Sequence, residues 1–167
     1  MLNQEEIFSQ LNEGMLNERS RVFRNNLKKN LPMIKHLGGL RPVVNDFRGM
    51  HVIIIGSGPS LDSLYSCLQI LRKRRDIIFL AADMALKPLV EHGIEPHFVI
   101  TCETTPSDFF SGINTGNIHL LAFSCSSFSN LRKWEGRISF FNWLISSDYY
   151  NSLWAEAGKE LGFVATG

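Results

Sequence analysis

The segment His51-Val52-Ile53-Ile54-Ile55-Gly56 limits the fold more than any other feature. Four consecutive β-branched residues ended by glycine read as a strand covered on both faces, as parallel sheets require. Directly after it, Leu61, Leu64, Tyr65, Leu68 and Leu71 fall at i, i+3, i+4, i+7 and i+10, the stripe of one helix. The alternation then continues. Asp76–Ala82 reads as a second strand, and Met84–His92 as a short helix stopped by Gly93, with Pro88 near its first turn or kinking it. Phe98–Thr101, His119–Phe123 and Ile138–Phe141 read as three further strands. Tyr149, Tyr150, Leu153, Trp154, Ala157 and Leu161 mark a last helix ending at Gly162. Strands alternating with helices predict an α/β fold, a Rossmann-like parallel sheet with helices on both faces.

Residues 1–48 differ from the rest. Ile7, Phe8, Leu11 and Met15 recur at helical spacing, and Val22, Phe23 and Leu27 begin a second stripe. Two helices are expected, followed by a turn region around Leu31-Pro32 and Gly38-Gly39. So few apolar positions suit an N-terminal helical arm packed on the main domain or on another subunit, and not a separate core. Residues 49–167 form the main, Rossmann-like domain in this reading. It stops at Phe163–Gly167, where another βα unit is expected, so the domain reads as C-terminally incomplete or as one whose exposed edge a partner covers. Homo-oligomer contacts would use the N-terminal helices or that sheet edge.

With 17 Lys+Arg against 16 Asp+Glu, the net charge is +1, which leaves no global excess to drive binding to nucleic acid or an anionic membrane. No apolar run reaches the roughly 20 residues that span a bilayer. The start MLNQEEIFSQ lacks the order of a secretory signal. Cys67, Cys102 and Cys125 are odd in number and form no CxxC pair, which predicts reduced thiols and a cytoplasmic protein.

The chemistry is expected at Gly56-Ser57-Gly58-Pro59-Ser60, directly after the first strand. Gly56 suits a sharp strand-to-helix turn, Gly58 lets a ligand approach the backbone, and Pro59 suits the first helical position. The helix start offers free N–H groups and a dipole to a phosphate, and Ser57 and Ser60 add hydroxyls. Leu61 stands where a dinucleotide fingerprint needs its third glycine, and no GK[ST] follows for a Walker loop. The plain alternative is a tight turn without a ligand.

Later strands also end in polar residues: Asp83 after the second, Thr101, Glu103, Thr104 and Thr105 at the third, Ser124, Ser126 and Ser127 after the fourth. Ligands in open parallel sheets bind outside the carboxyl ends, at the switch in strand order. The turn, Asp83 and Glu103 are therefore expected to line one cleft. There Asp83 accepts from a ribose hydroxyl or shares a divalent ion with Glu103; its alternative role is a helix cap. Arg72–Arg75 reads as a solvated helix end, His92 and His97 lack metal-ligand spacing, and Cys125 reads as a small buried residue. Trp134, Trp143 and Trp154 read as core.

The succession GSGPSLD, then AADMALKPLVEHGIEPHFVITCE, resembles the motility-associated-factor (Maf) and 6-hydroxymethylpterin diphosphokinase MptE-like family. The resemblance runs from about Asn30 to Gly167. The family's bacterial branch is linked to flagellin glycosylation with nonulosonic, sialic-like sugars, and its domain resembles sialyltransferases that use CMP-sugars. The archaeal branch transfers pyrophosphate from ATP to a pterin with magnesium. By this resemblance Gly56, Ser57, Gly58, Pro59 and Ser60 match the nucleotide-phosphate turn, and Ala82 and Asp83 match nucleoside contacts of the second strand. Glu103 stands at the family's third-strand acid, usually Asp, and His97 replaces the usual Asp after Pro96. The resemblance implies a nucleotide-binding transferase domain that uses a CMP-activated nonulosonic sugar and a protein or glycan acceptor. Its alternatives are a magnesium-dependent diphosphokinase, with Asp83 and Glu103 on the metal, and a truncated, non-catalytic nucleotide-binding module. The lead-in helices favour the first. Magnesium enters as a cofactor only under the diphosphokinase reading.

Overall fold

Each apolar run becomes a strand in the computed structural model, which describes residues 4–43, 47–144 and 148–164. The strands are β1 (His51–Ile55), β2 (Ile77–Ala82), β3 (Phe98–Thr101), β4 (His119–Phe123), β5 (Ile138–Trp143) and β6 (Phe163–Val164). All pair in parallel, side by side in chain order. The α/β, all-parallel architecture is the one expected. Its strand order never reverses, however, so no switch point marks a cleft, and only the carboxyl ends of the strands remain as a guide. β6 lies outside the five expected strands, because two residues are too few to show a period.

The helices are α1 (Gln4–Leu37), α2 (Tyr65–Leu71), α3 (Asp83–Glu91), α4 (Phe128–Leu131) and α5 (Asp148–Ala157). α1 is one continuous helix, where two were expected with a break at Leu31-Pro32. Pro32 is exposed, so its missing N–H removes one helical bond without burying a lone carbonyl. The helix stops instead at Gly38, whose φ of +78° suits glycine and whose N–H bonds the Ile34 carbonyl at 2.9 Å. Phe23, Leu27 and Ile34 continue the second stripe and are buried; the side chains of Ile7, Phe8, Leu11 and Met15 lie outside those described. After β1 the chain forms a 3₁₀ turn over Pro59–Ser63 before α2, not one long helix. Ser63 Oγ bonds the Ser60 carbonyl there, a local bond that competes with helical pairing. α5 ends at Ala157 because Gly158, with φ of +105°, turns the chain into a second 3₁₀ turn, Lys159–Leu161.

Strand register sorts the side chains into two faces. Ile55, Ile77, Phe79, Ala81, Val99, Leu120, Ala122 and Phe140 lie on one face, buried from β1 across to β5. The other face is uneven. Over β4 and β5, Phe123 and Trp143 stack at 4.2 Å, and Phe23 of α1 and Trp154 of α5 close on Phe123. Over β1, Val52 is 52% exposed and Ile54 77%. The expectation that β1 is covered on both faces fails for a topological reason: β1 is an edge strand, and the α1 and α5 aromatics cover this face over β4 and β5 instead.

α1 is tied to the carboxyl side of the sheet by two asparagines one helical turn apart. Asn26 Nδ2 donates to the carbonyls of Thr104 and Cys125 at 2.8 and 3.0 Å, and Asn30 Nδ2 to those of Ser124 and Ser126 at 2.9 and 2.8 Å. This docking brings α1 alongside the loops that follow β3 and β4.

Candidate functional site

Where β2 becomes α3 and β3 runs into its loop, a cavity of about 840 Å3 opens. Ala82, Asp83, Ile100, Cys102 and Glu103 line it, together with Trp143 of β5. α1 adds Gly14, Glu18 and Arg19 along one side. The two acids are held by their own surroundings. Asp83 Oδ1 accepts the Met84 N–H at 2.8 Å, and Oδ2 accepts the Thr101 hydroxyl at 2.7 Å. Thr101 Oγ1 also takes the Glu103 N–H at 3.3 Å. Buried Thr101 therefore sits behind both acids as a positioning residue, not on the cavity wall. The helix-cap reading of Asp83 does not hold, since Ala82 is the N-cap of α3 and no side chain caps it; Asp83 stands in the first turn and lines the cavity.

Burial pushes the Glu103 carboxyl up, but hydrogen bonds from the Thr105 hydroxyl and from the Thr105 and Thr104 amides, aided by the Arg19 charge, outweigh it. Glu103 consequently stays below the usual carboxylate range and remains ionised at neutral pH. The Cys102 thiol is pushed up to about 11, chiefly by burial, although the Trp143 indole N–H donates to its sulfur at 3.3 Å. At that value it is a neutral wall residue and no nucleophile.

The structure brings Ala82, Asp83 and Glu103 together along this cavity. It does not place Gly56–Ser60 on the same wall. Those five residues are exposed, and the turn leaves the sheet next to Ala82, because Ile55 pairs with Ala81. No side chain caps the 3₁₀ turn, and Gly58 has an ordinary extended backbone, φ −72° and ψ 160°. A Cβ on Gly56 would meet nothing within 4 Å, and one on Gly58 only Ser60 Oγ at 4.0 Å. The space in front of the turn is open. These glycines are not required by backbone torsion.

The serines after β4 do not reach the cavity. Ser124, Ser126 and Ser127 are buried, with Ser126 Oγ on the Thr101 carbonyl at 3.3 Å and the Ser127 N–H on that of Glu103 at 2.8 Å. They hold the β3 and β4 loops together. Cys125 is buried as expected, its thiol pushed up to about 12 by burial. Sequence reasoning missed Arg19, Glu18 and Trp143. An arginine on a polar helix face carries no signal of its own; only a continuous α1, long enough to reach the cavity, would have pointed to it.

Among the described residues no cluster of three His, Cys, Asp or Glu side chains could hold a metal by itself. Asp83 and Glu103 in one cavity do match what magnesium takes from a protein, one or two carboxylates, with substrate phosphates and water completing the octahedron. The residues present thus fit a cation that arrives with its nucleotide.

A family model described as 6-hydroxymethylpterin diphosphokinase MptE-like matches residues 25–165. The chain belongs to this MptE-like family. Among curated proteins no relative matches it. MptE-like membership suggests a diphosphokinase- or transferase-like activity and implies nucleotide substrates. The matched stretch contains the turn and both acids, whereas Glu18 and Arg19 precede it. No helix among the described residues is long and apolar enough to cross a membrane.

Proposed function

We propose that this chain binds a nucleotide across the carboxyl ends of β1–β3 and transfers a diphosphoryl group from it with the help of magnesium. The observation that carries this reading is the charge inside the cavity: among the described residues, Glu18, Asp83 and Glu103 line it against the guanidinium of Arg19. Three carboxylates and one guanidinium leave two negative charges, which repel phosphates unless a divalent cation enters with them. Asp83 and Glu103 hold that cation, Gly56–Ser60 takes phosphate oxygens on its uncapped amides, and Ala82 lies against the nucleoside. When bound, the cation neutralises charge developing on the bridging oxygen. An acceptor hydroxyl oxygen bonds to the β-phosphorus, the bond to the α,β-bridging oxygen breaks, and the monophosphate leaves. The hydroxyl proton passes to solvent.

A second reading, transfer from a CMP-activated nonulosonic sugar to a protein or glycan acceptor, rests on Asp83. Both of its oxygens are fixed by internal donors, an arrangement suited to accepting ribose hydroxyls without metal. Calorimetric titration with ATP, GTP, CDP and CMP, with and without magnesium, separates the two. The diphosphokinase reading expects magnesium-dependent binding of ATP or GTP, weakened by about tenfold or more in Asp83→Asn. Metal-independent CMP binding supports the sugar transferase and overturns the first reading; nucleotide binding without turnover of any acceptor leaves a binding module. Gly58→Val tests the turn cleanly, since its backbone torsion suits any residue and the added side chain meets open space. Loss of binding with an unchanged melting temperature is expected, and an unchanged dissociation constant removes the turn from the site.

A further inference from the structure

The opposite end of the sheet holds a second cavity, about 270 Å3, at the amino ends of β3, β4 and β5. Its polar lining is basic. Arg72 reaches it from just beyond α2, Arg137 from just before β5, His97 from before β3 and His119 from the start of β4, with Asn117 beside them. No carboxylate stands among the described residues that line it. Neither guanidinium is ion-paired, as the ion pair found among the described residues joins Arg74 and Asp76. Arg72 donates its Nε–H to the Glu95 carbonyl, which fixes the guanidinium and leaves its terminal N–H groups unassigned.

The histidines have set orientations. His97 Nδ1 accepts the Phe79 N–H at 3.0 Å, so the neutral ring carries its proton on Nε2 as a donor. His119 Nε2 shares a 3.0 Å hydrogen bond with Ser139 Oγ. The rest of the lining is apolar, with Phe47 edge-on to Phe98 at 5.3 Å. Two planar guanidinium forks with a histidine N–H beside them, and no carboxylate among the described lining residues, are the chemistry that recognises phosphate. An apolar wall beside them accommodates a small organic body, and the cavity lies near the lower end of small-molecule site volumes.

We propose that this cavity is a second ligand site, for a small molecule bearing a phosphate group, at the end of the sheet away from the transfer cavity. Arg72 and Arg137 grip the phosphate, His97 Nε2–H and Asn117 donate to it, and Phe47 and Phe98 contact the body that carries it. The site is independent of the diphosphokinase reading. β3 alone, four residues long, separates the two ends by roughly 13 Å.

The test is a titration of the full chain with inorganic pyrophosphate at constant ionic strength, following the ring nitrogens of His97 and His119 by NMR. Saturable movement of both rings is expected, with sodium chloride at the same ionic strength causing none. Arg137→Gln, at an exposed position, is expected to raise the dissociation constant by about tenfold or more while the melting temperature holds. Asp83→Asn is expected to leave the ring response unchanged, which separates this site from the transfer cavity. The proposal is overturned if neither ring moves, if Arg137→Gln titrates like the parent, or if Asp83→Asn abolishes the response. Should Arg137→Gln fail to fold, Arg137→Lys keeps the charge without the fork, and an unchanged affinity there overturns the guanidinium grip.

Discussion

Asn30 shows how one side chain fixes where the cavity forms. It is fully buried, and its amide nitrogen holds two carbonyls of the loop after β4. Leaving a buried carbonyl without a donor costs about 1–3 kcal/mol. Asn30→Ala strands two at once, so a loss of about 3 kcal/mol is expected, read as a shift in the urea midpoint with the slope unchanged. Asn26, which is only half-buried, bonds two more carbonyls. Asn26→Ala should cost less, because water reaches what it leaves behind. In the sequence both asparagines look like the polar face of an arm, since a single-chain pattern records hydrophobicity and not which carbonyls lack partners. The acids were legible for the converse reason. Asp83 follows β2 directly and Glu103 lies two residues past β3, and a parallel sheet presents whatever follows a strand at its carboxyl end.

At the scale of elements, the Gly38-Gly39 pair does two different things. Gly38 ends α1 through its positive φ, whereas Gly39 lets the chain pass between β5 and Leu161. The Phe140 N–H bonds the Gly38 carbonyl at 3.0 Å, and the Leu40 N–H bonds that of Leu161 at 2.9 Å. A Cβ on Gly39 would collide with the backbone of Leu161. Backbone cannot swing aside as a flexible side chain can, so Gly39→Ala is expected to cost about 3 kcal/mol. Gly49→Ala offers the contrast: a Cβ there meets nothing within 4 Å, and only its φ of +79° is strained. Comparing the two melting curves separates collision from torsion, and equal losses would show that Gly39 is not wedged. The sequence marks a turn at Gly38-Gly39 but not this insertion, which depends on where a segment more than a hundred residues later comes to lie. β2 to β4 were legible within a residue because their runs are continuous and bounded. Edge position was not legible in β1, since a β-branched run reads alike whether one face or both are covered.

At the scale of the whole molecule the two cavities differ in charge. Glu18, Asp83 and Glu103 line the one at the carboxyl ends of the strands, while Arg72, Arg137, His97 and His119 line the one at the amino ends. A net charge of +1 conceals this division. It has a consequence for stability against pH. Burial, and after it the charge of Arg72, holds His97 below its ordinary value of 6.5; burial and Arg137 do the same to His119. Between each folded value and 6.5 the unfolded chain binds more protons than the native one, so stability rises with pH through that window. It is fully present above 6.5 and falls as acid drives the window downward. Protonating His97 also sets a proton on Nδ1 against the Phe79 N–H. Equilibrium urea unfolding from pH 7.5 down to 5.5, where most carboxylates are still ionised, is therefore expected to show a falling midpoint. His97→Gln should flatten that slope, and saturating pyrophosphate should flatten it too, since a bound anion favours the charged rings. A parent midpoint independent of pH over that range would mean that the basic end already carries a compensating negative charge.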